Sequence, residues 1–251
     1  MADVSIVLVY PDVLGTYGDG GNARILAQRL RWRGVGADVV TVTVGTPLPR
    51  TGDIYVLGGG EDAPQALAAT DLRADGGLTA ATERGAAVLA VCAGLQVLGT
   101  TFRTSDGVRT GVGLVDADST EGLPVRAVGE LVVDPLLPPT GEQQAGAQHV
   151  ARLSGYENHA SATRLGPGVS PLGRVVTGIG NGDDAHTDGF VVGRVLGTYL
   201  HGPVLARNPD LADLLLSWVV GPLAPLDDSE ALGLREERLA AATPAGRRRR
   251  A

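Results

Sequence analysis

The chain has 251 residues, 43% of them hydrophobic, a single cysteine and a formal charge of −7. Its length fits one α/β domain or two small ones, the acidity argues against a nucleic-acid binder, and the lone thiol excludes an internal disulfide, which suits the cytosol. All 21 basic residues are arginine, so chemistry that needs a lysine, such as a Schiff base or a P-loop, is excluded.

The N-terminus carries no basic n-region, and no apolar stretch approaches the roughly 20 residues of a membrane helix, so neither a signal peptide nor a span is expected. Residues 4–10 (VSIVLVY) form a continuous apolar run, as in a strand buried on both faces. A Gly- and Asp-rich loop, PDVLGTYGDGGN, follows. NARILAQRLRWRG places Ile25, Leu26 and Leu30 at helical spacing, with Gly34 as a stop. ADVVTVTV is a β-branched strand, and DIYVLGGG is a second that runs into three glycines. DAPQALAATDLRADGGLTAATERG reads as helix with a break near Gly76. AAVLAV is another buried strand, ending at Cys92 and a short helix from about Gly94 to Leu98. This alternation predicts an α/β three-layer sandwich with a mostly parallel central sheet.

The second half reads as short strands: VGELVVD, VARLSGYENH, GRVVTGIG and GFVVGRVLGTYLH. Residues 138–149 read as an exposed loop. NPDLADLLLSWVVG is a helix with Asn208 as its cap, Pro209 in the first turn, and Asp210 and Asp213 at its positive end. After Pro222 the chain turns polar, which predicts one peripheral helix and a solvated arginine-rich tail. The expected organisation is one domain over residues 1–222 and an extension over 223–251.

Cys92 ends a buried strand and starts a helix. Such a turn lies at the C-terminal edge of a parallel sheet, where ligands bind. Its neighbours Ala90, Ala93 and Gly94 are small, as a nucleophile elbow requires. The helix start favours a thiolate, and the amide of Leu95 or a neighbour can face a developing oxyanion. The plain alternative is an inert buried thiol. A nucleophilic cysteine needs a base. Among His149, His159, His186 and His201, only His201 ends an apolar run, in RVLGTYLHGP. His159, in GYENHAS, is the second candidate, or else a structural or substrate-lining residue. Gly58, Gly59 and Gly60 supply bare amides after a strand. No Cys/His pair has metal-ligand spacing.

YVLGGG, VCAGLQVLG and GTYLHGP together resemble the class I glutamine amidotransferases, in their cobyric-acid-synthase-like branch. YPDVLGTYGDGGN, GYENHAS and VLGTYLHGPVLARN are similar to the GatD-type glutaminase subunits of lipid II isoglutaminyl synthases. The resemblance implies a cytoplasmic glutaminase. Cys92 would attack the glutamine carboxamide, with His201 as base and the amides of Gly60 and Leu95 holding the oxyanion. Arg126 would bind the glutamine α-carboxylate, and Gln96 and His159 would line the pocket. It implies no cofactor in this chain, with ATP and Mg on a Mur-ligase-like partner of the MurT type that acts on lipid II in peptidoglycan synthesis. Many class I enzymes follow the histidine with x-Glu; here Pro203 stands there. Glu157, Asp183, Asp184, Asp188 or, preferably, a carboxylate on the partner chain would orient His201. A cobalamin-pathway amidotransferase and a redox sensor using Cys92 are the alternative functions.

Overall fold

The computed structural model describes residues 4–137 and 150–242. The loop expected at 138–149, with His149, and the arginine-rich end of the tail lie outside the described residues. In the first half β1 (Val4–Val9), α1 (Gly21–Trp32), β2 (Ala37–Val42), β3 (Ile54–Leu57), α2 (Asp62–Asp75), α3 (Gly77–Glu83), β4 (Ala87–Val91) and α4 (Ala93–Leu98) follow one another as the sequence predicts. The break near Gly76 is a left-handed C-cap at φ 64°, where its amide closes on Leu72. Then come β5 (Thr101–Thr104), β6 (Gly107–Thr110), β7 (Ala117–Pro135), β8 (Leu153–Leu165), β9 (Gly173–Thr177), β10 (Thr187–Asp188), β11 (Phe190–Val192), β12 (Val195–Thr198), α5 (Val204–Arg207), α6 (Pro209–Val220) and α7 (Ser229–Ala242).

The central sheet runs β11-β12-β4-β3-β1-β2, parallel except for the edge strand β11. Every residue of β3, β4 and β12 is buried, which is why these strands read as unbroken apolar runs. Helices α1, α5 and α6 pack together, as do α2, α3 and α4, and both groups reach β4 through α6 and α4. All parallel strands therefore end at one edge, with Cys92 just beyond β4.

A second, mainly antiparallel sheet extends the expected sandwich, in the order β10-β9-β7-β5-β6 with β8 also on β7. Its hairpin β5–β6 turns through Ser105 and Asp106 into Gly107, whose φ of 119° suits glycine. Strand β7 is 19 residues long; irregularities around Glu121–Ala127 break its alternation and hide its length from the pattern. The segment GFVVGRVLG folds back on itself as β11–β12, so the strand stops at Thr198 and not at His201.

Two further expectations change. Asn208 does not cap α6 with its side chain; its Oδ1 accepts Ser154 N at 3.0 Å and its Nδ2 donates to Ser154 O at 2.9 Å, pinning α6 to β8. Asp213 serves a buried ion-pair cluster with Arg29 and Arg33, which Asp228 joins. The helix expected after Pro222 is α7, and Asp228 and an Arg235–Asp210 pair tie this segment to the domain. Among the described residues, no helix is long and apolar enough to cross a membrane.

Candidate active site

Cys92 adopts φ 51° and ψ −107°, a backbone shape unusual for a residue with a side chain. The strain is held from both sides. Cys92 N donates to Thr198 O at 2.9 Å, and Gly94 N donates to Gly58 O at 3.1 Å. A Cβ on Gly94 would sit 2.8 Å from Leu57 Cβ, so the tight turn admits only glycine there. This is a nucleophile elbow built by sheet pairing. The thiol is only 7% exposed, yet it lines a cleft.

The parallel pairing of β12 with β4 sets Thr198 beside Val91. The chain beyond Thr198 therefore enters the same space as Cys92 and delivers His201. There His201 N donates to Tyr156 O at 2.8 Å, and its ring stacks on Tyr156 and meets the edge of Tyr17. His201 is fully buried. Its Nδ1 lies 2.9 Å from Asp19 Oδ2, and the same oxygen accepts Gly59 N at 2.9 Å. A carboxylate only accepts, so Nδ1 carries the hydrogen and Nε2 is left for the thiol. Nε2 is buried with no hydrogen-bond partner among the described residues.

Asp19 corrects the expectation for the orienting carboxylate: the group on His201 comes from this chain. None of the four internal candidates reaches the imidazole. Glu157 accepts the amides of Ile179 and Gly180, and Asp183 accepts Thr187 N. Asp188 accepts the Thr198 hydroxyl and Tyr199 N, and burial pushes its carboxyl up to about 7. Asp184 is exposed. The signal for Asp19 was available in YGDGGN, an acid set directly before α1, whose positive end favours an anion. Because β1 adjoins β3, the loop leaving β1 must lie beside the LGGG turn leaving β3. The middle glycine of that turn has its own reason. A Cβ on Gly59 would come within 2.7 Å of His201 Cε1 and 3.2 Å of Asp19 Oδ2.

Burial alone would lower the His201 pKa. The hydrogen bond to Asp19 and the nearby Cys92 thiol outweigh it and push the imidazole up to about 10. The site thus favours a protonated imidazole beside Cys92.

The cleft is walled by Gly60, Gln65, Cys92, Ala93, Gln96, Arg126, Asn158 and His159, among others. Of the two expected oxyanion amides, Gly60 lies on this wall. Leu95 does not; it is fully buried inside α4. Ala93, directly after the nucleophile, holds the cleft position, as elbow geometry requires. Gln96 is fixed from both ends, its Oε1 accepting Gln65 Nε2 at 2.8 Å and its Nε2 donating to Tyr199 OH at 3.0 Å. Arg126 is exposed at the rim, with Nε donating to Asn158 Oδ1 at 2.7 Å. His159 is buried and stacked on Tyr199, with Ser161 O at Nδ1 and Glu157 at Nε2. Both its nitrogens are occupied, whereas His201 Nε2 has no partner among the described residues. His186 is exposed. Among the described residues, no cluster of His, Cys, Asp or Glu could hold a metal.

A family model for the CobB/CobQ-like glutamine amidotransferase domain matches residues 5–209. The chain is 34% identical over 220 residues to the "Lipid II isoglutaminyl synthase (glutamine-hydrolyzing) subunit GatD" of Staphylococcus aureus (strain N315), covering 86% of this chain and 84% of that protein. It is 30% identical over 217 residues to the subunit of the same name from Streptococcus pneumoniae, covering 85% of this chain and 79% of that one. A cobyric acid synthase of Rhizorhabdus wittichii is 35% identical over 190 residues, 72% of this chain but 35% of that protein. A solved glutamine amidotransferase structure superposes with a TM-score of 0.54 at 19% identity, over 85% of this chain and 98% of that one, which shows a common fold. With its family model spanning most of the length and its elbow, imidazole and carboxylate at one sheet edge, this chain belongs to the CobB/CobQ-like glutamine amidotransferases.

Proposed function

We propose that this chain is the glutamine-hydrolysing subunit of a lipid II isoglutaminyl synthase. The observation that carries the chemistry is the strained Cys92 turn beside a buried His201 held by Asp19. The Cys92 thiolate attacks the side-chain carbonyl carbon of glutamine, and the amides of Gly60 and Ala93 take the charge on the carbonyl oxygen. His201 gives its Nε2 proton to the departing ammonia, leaving a γ-glutamyl thioester on Cys92. His201 then removes a proton from water, which attacks the thioester and releases glutamate and the thiolate. Asp19 holds the ring and balances its charge through both steps. Arg126 pairs with the substrate α-carboxylate, while Gln96 and His159 shape the pocket wall.

The ammonia would serve a Mur-ligase-like partner of the MurT type, which would bind ATP and Mg and amidate the D-glutamate of lipid II in the cytoplasm. This chain would need no cofactor of its own. The GatD likeness, which reaches over 86% of the chain against 72% for cobyric acid synthase, supports that acceptor over a cobalamin-pathway acid. With Asp19 in place, the partner need not lend a carboxylate to His201. The test is glutamate release by the chain with its ligase partner, ATP, Mg and lipid II, scored beside amidated lipid II. Wild type should give both products and Cys92→Ser neither. Release of glutamate without lipid II amidation would keep the glutaminase and discard the acceptor.

A further inference from the structure

Strand β8 alternates its faces. Glu157 and His159 are buried, while Tyr156, Asn158 and Ala160 are more exposed, and Asn158 lines the cleft. Asn158 lies opposite Val128 of β7, so Arg126 is its diagonal neighbour on the same face. Its side chain uses both ends. Oδ1 accepts Arg126 Nε at 2.7 Å, and Nδ2 donates to Tyr17 OH at 2.6 Å. Its main-chain oxygen lies 3.9 Å from Cys92 Sγ. Tyr17 belongs to the loop that carries Asp19, has φ 66°, and rests its ring against His201 with centroids 4.9 Å apart.

We propose that Asn158 is a positioning residue that presets Arg126 for the glutamine α-carboxylate and ties it, through Tyr17, to the loop that orients His201. The proposal rests on the glutaminase reading. A long exposed arginine loses much rotamer freedom when it grips a ligand, and a side chain fixed beforehand lowers that cost. With Nε committed to Asn158, the two terminal nitrogens of Arg126 have no other partner among the described residues and can meet a carboxylate side by side. The amide does both tasks at once, accepting from arginine at Oδ1 while donating to the phenol oxygen from Nδ2. An aspartate there would repel the incoming α-carboxylate and lose the donor to Tyr17.

The experiment measures kcat and KM of the subunit complex for L-glutamine and for L-glutamine α-amide, which lacks the α-carboxylate. For Asn158→Ala, KM for glutamine should rise about tenfold with kcat within about twofold. Preference for glutamine over its α-amide should fall by the same factor. Asn158→Asp should raise the glutamine KM further. Tyr17→Phe should raise it by a smaller factor and add little on top of Asn158→Ala, because the two share one contact. Equal losses on both substrates would mean a merely structural role and overturn the proposal. So would an Asn158→Asp variant that binds glutamine as well as Asn158→Ala. If Arg126→Ala loses the preference while Asn158→Ala keeps it, the proposal falls and the glutaminase reading stands. A wild-type complex that releases no glutamate overturns both.

Discussion

The two sheets divide the labour of the site differently. The parallel sheet collects Asp19, Gly59, Cys92 and His201 from four separate strand ends at one edge. Backbone pairing places them: Cys92 N on Thr198 O, Gly94 N on Gly58 O, Gly59 N on Asp19. The antiparallel sheet presents Arg126 and Asn158 from two neighbouring strands, and a side-chain hydrogen bond links the two residues. A parallel sheet fixes reacting groups within a rigid frame. A pair of antiparallel strands offers a surface whose side chains adapt to a ligand. Damage to the first should therefore appear in kcat, and damage to the second in KM.

The sharpest break is at the elbow. Cys92→Ala and His201→Ala should each lower glutamine turnover by more than about 10⁴-fold without unfolding the chain, read as glutamate release alongside circular dichroism. Asp19→Asn keeps the shape but removes the charge, and kcat should fall by about 10²-fold or more with KM nearly unchanged. Gly59→Ala pushes a methyl toward His201 Cε1, and a shift of the ring should cost about 10- to 100-fold in kcat. On the other sheet, Arg126→Ala should raise the glutamine KM by about 10- to 100-fold and leave kcat within a few-fold. Steady-state kinetics on these variants would erase the division between the sheets if Arg126→Ala acted on kcat alone. Farthest from the cleft, Asp213→Ala leaves the buried Arg29 with Asp228 as its remaining carboxylate and takes the carboxylate from Arg33. Denaturant titration should show a loss of about 1–3 kcal/mol, with unchanged kinetics in the folded protein.

The parallel half was legible because its signals are local. Four buried strands read as apolar runs, and glycines mark where they turn. Cys92 and His201 followed from that rhythm. Asp19 did not: its place before α1 marks an acid at a helix start, but only the pairing of β1 with β3 brings YGDGGN against LGGG. The absent acid after His201 pointed outward to a partner when the answer lay at the start of the chain. Leu95 gave way to Ala93 for a smaller reason: the helix turns Leu95 into the core, while Ala93, next to the nucleophile, lines the cleft. In the antiparallel half, the irregular middle of β7 hid a long strand, and Arg126 rested on family resemblance. Asn158 carried no sequence signal, since its two contacts cross between elements.

The raised pKa of His201 gives the central claim a pH signature. The imidazole is pushed up to about 10, with Asp19 among the causes that raise it. A raised pKa stabilises the fold fully below the unfolded value of about 6.5, and that contribution is lost as pH rises through about 10. The stability advantage of wild type over Asp19→Asn should shrink across that interval.

The most direct test is the pH dependence of kcat/KM for glutamine in wild type and Asp19→Asn, with and without the ligase partner. Asp19 as the orienting carboxylate requires a large loss of activity in the variant in both settings, and an alkaline limb that moves to lower pH. A variant that keeps wild-type activity and the wild-type limb, or regains them when the partner docks, would contradict the account and return the orienting carboxylate to the partner.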